Sequence, residues 1–70
     1  MKILPGLEKS RKNAALTQAD VASKLGINVC TVVRWEKGTK LPDVLTLIEL
    51  SRIFNQSIHY IVTGKEFASK

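Results

Sequence analysis

Two glycines and two capping residues punctuate the middle of this chain, and their spacing admits little except a pair of short helices. Thr17-Gln18-Ala19-Asp20 has the form of a capping box, with Asp20 where Glu is usual, so that both side chains can satisfy free backbone donors at a helix start. Val21, Ala22 and Leu25 follow as an apolar stripe at helical spacing, and Gly26 supplies the left-handed residue that closes a helix C-terminus. Asn28 is a second N-cap, and the segment Val29-Cys30-Thr31-Val32-Val33-Arg34-Trp35-Glu36 runs from it to a stop near Gly38. The β-branched residues Val29, Thr31, Val32 and Val33 favour a strand by propensity alone. Length, caps and the preceding glycine turn select a helix held by tertiary packing.

The flanking sequence carries the same punctuation. Pro5 suits a first helical turn, and a helix over about Leu4 to Asn13 places Leu7 and Arg11 on one face. After Pro42, Asp43 caps a fourth helix whose apolar face is Val44, Leu47, Ile48 and Leu50, with Phe54 near its end and Asn55 able to take the left-handed position. A fifth, short helix spans Ser57 to Thr63, with Ile58, Ile61 and Val62 apolar, and Gly64 ends it. The expectation is an all-α protein, one domain over residues 1–70, folded as a compact five-helix bundle. Its helix-turn-helix unit covers about 17–37, and residues 65–70 form a flexible tail.

Composition narrows the function. In 70 residues, 44% of them hydrophobic, there is material for one core, and the margin is thin because roughly 60% of the unfolded surface can be buried at this size. One cysteine, Cys30, and one histidine, His59, exclude a zinc framework and an internal disulfide, so no metal and no cofactor are expected. No apolar run approaches the roughly 20 residues of a membrane span. The start, Met1 to Gly6 followed by Glu8 and Lys9, is too short and polar for a signal peptide, which points to the cytoplasm. No nucleophile, phosphate loop, dinucleotide pattern or carboxylate cluster suggests an enzyme. The net charge of +5, from 11 basic and 6 acidic residues, favours an anionic partner.

Two capped helices joined by a three- to four-residue glycine turn are suited to DNA, because a B-form major groove admits one α-helix while a bracing helix meets the backbone. Beyond the spacing, Leu16, Thr17, Gln18, Ala22, Leu25, Gly26, Val32, Trp35, Glu36, Gly38, Pro42, Leu47, Leu50, Phe54, Ser57, Tyr60, Ile61 and Gly64 stand in a pattern that resembles the phage repressor and Cro-type (XRE-type) family. The resemblance runs from about Leu7 to Gly64. It implies the lambda-repressor-like fold and a double-stranded DNA operator as partner. Ala15 where the family often has Gly, Ser10 where an aliphatic residue is common, and Asn55 for Gly depart from it.

The resemblance also implies roles. Val29, Cys30 and Arg34 match base-facing positions, with Thr31 able to join them, and Arg34 is the strongest reader because a guanidinium can bond guanine O6 and N7 together. Gln18 and Asn28 match positions facing phosphate, Gln18 also supporting the base readers. Arg11 and Glu36 match an ion pair between the first helix and the end of the recognition helix, with Arg11 also in reach of the backbone. Thr39 and Lys40, in the loop before Pro42, are expected on the sugar-phosphate backbone. Family members usually act as dimers, and the apolar excess near the C-terminus places the homodimer surface at Phe54, Ile58, Tyr60, Ile61 and Phe67. A transcriptional regulator, most simply a repressor, is the favoured reading. The rival is a protein-interaction module of the same fold, an antitoxin or bridging factor. No small-molecule effector is indicated.

Overall fold

The computed structural model describes residues 4–65. Among them it contains five helices and no strand: α1 (Pro5–Asn13), α2 (Gln18–Leu25), α3 (Val29–Lys37), α4 (Val44–Phe54) and α5 (Ile58–Thr63). Phe67 and the tail beyond Lys65 lie outside the described residues. The all-helical, five-element architecture is the one the punctuation implied.

Each boundary has a local cause. Thr17 and Asp20 form a reciprocal capping box at the start of α2, with the Thr17 N–H donating to Asp20 Oδ2 at 2.8 Å and the Asp20 N–H to Thr17 Oγ1 at 3.0 Å. Asn28, Asp43 and Ser57 cap α3, α4 and α5 through their side-chain oxygens. Helices α1 to α4 end alike: a left-handed residue (Ala15, Gly26, Gly38 or Asn55) is followed by an N–H that bonds back five residues, from Leu16 to Arg11, Ile27 to Ala22, Thr39 to Arg34 and Gln56 to Ser51.

The core is Leu4, Leu7, Val21, Ala22, Val32, Trp35, Leu50, Phe54 and Ile61, drawn from all five helices and the residue that precedes α1. Two expectations need correction. Phe54 and Ile61 are buried within the chain, so they have no surface left for a second subunit. Val44 is 70% exposed while Leu50 is 0%, because the first turn of α4 lies beyond the core and only its later turns reach it. Ile58 is also exposed, and Tyr60 is half-buried. Among the described residues no helix is long and apolar enough to cross a membrane.

Candidate nucleic-acid interface

Helix α3 is amphipathic in a way that separates scaffold from surface. Val32, Trp35 and Glu36 are buried. At about 100° per residue, Cys30, Arg34 and Lys37 share the opposite side, and all three are exposed. Among the described residues no hydrogen bond or ion pair holds the side chain of Arg34. Val29, exposed, lies at one edge of this outward side. Thr31 lies at the other edge, half-buried, on the wall of a groove that it shares with Ile27, Trp35, Leu45 and Ile48. The structure therefore groups Cys30 with Arg34, keeps Val29 near them, and turns Thr31 toward α4.

Lys37 was not among the sequence-derived candidates. It follows Cys30 by seven residues and Arg34 by three, so the helical period alone would have found it once α3 was carried through to its last residue.

The polar residues around α3 are held in specific ways. Asn28 Oδ1 accepts the Cys30 N–H at 2.8 Å, which commits the carbonyl of its amide to the cap and leaves its two N–H donors on the exposed side. This lies at a helix N-terminus, where backbone donors and the helix dipole favour an anion. At the other end, Thr39 donates its hydroxyl proton to the Arg34 carbonyl at 3.3 Å. A phosphate contact from that hydroxyl would first have to break this bond. Lys40 is exposed. Cys30 is an exposed free thiol.

Arg11 and Glu36 are brought together. Arg11 Nε donates to Glu36 Oε2 at 2.6 Å, Nη2 to Oε1 at 3.3 Å, and Nη1 to the Leu16 carbonyl at 3.0 Å. Glu8 lies 4.0 Å from Nη2. The side chains are 11% and 7% exposed, so this is a shielded pair. The hydrogen bond to Glu36 raises the pKa of Arg11 further, against the lowering effect of its partial burial. With three groups already bonded inside the protein, Arg11 is turned mainly inward. Gln18 Nε2 also donates to Glu36 Oε1, at 3.0 Å. Among the described residues the side chain of Gln18 thus bonds to the buried end of α3 and to none of Val29, Cys30 or Arg34.

Among the described residues no group of three or more His, Cys, Asp or Glu is placed to hold a metal ion.

Comparison with known proteins follows the same lines. The family model described as "Helix-turn-helix" matches residues 7–61. A Bacillus subtilis (strain 168) protein named "Uncharacterized HTH-type transcriptional regulator YqaE" is 41% identical over 59 residues, which are 84% of this chain and 51% of that protein. The "HTH-type transcriptional regulator ImmR" of the same organism is 36% identical over 64 residues, 91% of this chain and 50% of its own length. A Haemophilus influenzae protein, also named an uncharacterized HTH-type transcriptional regulator, is 32% identical over 47 residues, 67% of this chain and 20% of the relative. The chain therefore spans about half the length of the two Bacillus relatives.

Proposed function

The chain belongs to the helix-turn-helix family, and from that premise we propose that it is a sequence-specific binder of double-stranded DNA that regulates transcription, most simply as a repressor in the cytoplasm. In this reading α3 enters the major groove as one half of a homodimer. The observation that carries it is the outward side of α3, where Cys30, Arg34 and Lys37 stand exposed together on a helix whose other side is locked into the core. Arg34 and Lys37 supply donors and charge there, while Val29 and Cys30 offer apolar contact of the kind a thymine methyl accepts. Asn28, Gln18 and Lys40, with Arg11 and Thr39 less free to turn, are the candidates for backbone contact. Ile58 and Tyr60, together with Phe67 outside the described residues, are what remains of the expected dimer surface. Two-fold pairing through them would set the recognition helices roughly 34 Å apart, one turn of DNA.

The test is selection of bound duplexes from a random pool, followed by titration at several salt concentrations. Log affinity should fall linearly with log salt, with a slope of about −0.9 for each phosphate neutralised. Arg34→Ala should cost about 1–3 kcal/mol on the selected site and relax discrimination at one base pair. An equal loss on every duplex would reassign Arg34 to the backbone. Absence of any preference among duplexes would remove the reading. It would favour the protein-interaction module instead, which the exposed Leu41, Val44 and Leu45 support.

A further inference from the structure

We infer that Gln18 is a positioning residue for α3, acting through the buried carboxylate of Glu36. The inference rests on the DNA-reading function above, because the orientation of α3 matters to that function.

The argument begins with the carboxylate. A shielded Glu needs donors on both oxygens, since an unsatisfied buried charge is costly. Arg11 serves them unequally, with a short bond to Oε2 (2.6 Å) and a long one to Oε1 (3.3 Å). Gln18 completes the under-served oxygen at 3.0 Å. The three donors come from two helices: Arg11 from α1 and Gln18 from α2, both converging on α3.

Position along the helices supplies the second step. Gln18 is the first residue of α2, and Glu36 is the next-to-last of α3. The two helices are already joined at their other ends by the turn through Gly26, Ile27 and Asn28. Both helices also bury side chains in the shared core, Val21 and Ala22 from α2 and Val32 and Trp35 from α3, and a rotation about that packing displaces the free ends most. The Gln18–Glu36 bond fastens those free ends. It fixes the angle between bracing and reading helices where a small rotation moves Arg34 and Lys37 most.

Gln18→Met tests this. Methionine matches the length of glutamine and is a good helix former, so the fold is retained while the donor is lost. Two measurements are made. In the protein without DNA, backbone amide shifts and hydrogen exchange along α3 are compared with wild type. With DNA, affinity is measured for the selected duplex and for single-base variants across a salt series. The expected result is altered shifts and faster exchange for residues 32–37 in the free protein. The ratio of selected to variant affinity should fall roughly tenfold, the low end for loss of a hydrogen bond to a charged group, with the salt slope little changed.

If Gln18 were only a phosphate contact, the free-protein spectra would be unchanged. Affinity would fall equally on all duplexes, and the salt slope would stay as it is, because a neutral amide releases no counterion. That outcome overturns the inference and leaves the DNA-binding function standing. If wild type shows no duplex preference, the functional reading fails. The free-protein measurement then decides alone, unperturbed α3 amides counting against the positioning role and perturbed ones for it.

Discussion

The α1–α5 seam and the α3–α4 side of this molecule solve opposite problems. At the seam the backbones themselves are in contact. Gly6 faces the carbonyls of Tyr60 and Ile61, and Leu4, Leu7 and Ile61 are buried around it. On the other side, α4 begins with Val44 and Leu45 exposed, and a groove of about 580 Å³ lies between the α2–α3 turn, α3 and α4, lined by Leu25, Ile27, Leu45 and Ile48 with Glu49 and Arg52 at its polar margin. The seam holds the scaffold with no spare volume. The groove side leaves apolar surface in water, which a chain selected only for stability would bury. Closure at one end and openness beside the reading helix are what a rigid frame with a working face requires.

The sharpest way to break the contrast is Gly6→Ala. A methyl at this position collides with the Tyr60 carbonyl oxygen and crowds the Ile61 carbonyl, and neither is a flexible side chain that can move aside. Helix α1 must separate from α5. The expected cost is about 3 kcal/mol, the upper end of ordinary overpacking, which in a domain of this size lowers the melting temperature by roughly 10 °C or more. The matching change on the open side, Leu45→Lys, should stay within about 0.5 kcal/mol because the residue is 75% exposed. Thermal unfolding of both variants checks the pair, and equal losses would abolish the distinction.

The same contrast marks what the sequence could and could not tell. Helix starts were legible because Thr17, Asn28, Asp43 and Ser57 carry their capping chemistry in their side chains. Four helix ends were legible for the same reason, Gly26, Gly38, Asn55 and Gly64 being residues that tolerate φ > 0. The end of α1 at Asn13 also falls where it was expected, although Ala15 reaches φ 59 without any side-chain signal for it. At Ser10, where an aliphatic residue is usual in the family, the hydroxyl is buried with no hydrogen-bond partner among the described residues. Burial in the C-terminal half was misread. An apolar residue at helical spacing announces a face but not how far the core extends beneath it. Val44 was therefore assigned to the core face and is exposed, while Phe54 and Ile61 were assigned to an interface and fill the core. In the candidate site, the outward side of α3 was legible from periodicity. The link from Gln18 to Glu36 was not, since it joins residues 18 apart whose meeting depends on the angle between helices.

Arg11 bolts the two halves together, tying α1 of the seam to α3 of the working face. Arg11→Ala leaves the Glu36 carboxylate shielded with Gln18 as its one side-chain donor among the described residues. The expected loss is about 2–3 kcal/mol, between an exposed ion pair and a fully buried one. DNA affinity should fall in parallel, because α3 loses its brace. Arg11→Lys should recover the charge and only part of the stability, since an ammonium cannot bond Glu36 and the Leu16 carbonyl in the same fork. Denaturant titration and duplex binding on the three proteins check this. A wild-type melting curve for Arg11→Ala would show that α1 and α3 are held without the pair.

Mild acid offers a finer probe, because only two of the helix caps titrate in that range. Hydrogen bonds from Thr17, first from its backbone, lower the pKa of Asp20, and hydrogen bonding to Thr46 lowers that of Asp43. A carboxyl whose folded pKa lies below its unfolded value, about 3.9 for Asp, stabilises the fold above that value and loses the contribution as pH falls through the folded pKa. Asn28 and Ser57, the caps of α3 and α5, do not titrate, and the Gly6 contact is indifferent to protons. Lowering the pH from 5 to 3 should therefore loosen the first turns of α2 and α4 before those of α3 and α5. Residue-resolved amide exchange reads this directly, and Asp20→Asn and Asp43→Asn should each remove the acid response of their own helix. Both carboxylates are exposed, so the effect should be the smallest of those described and visible only locally. A uniform loss of protection across all five helices would mean that acid acts on the core as a whole, and that the caps do not divide the molecule as its packing does.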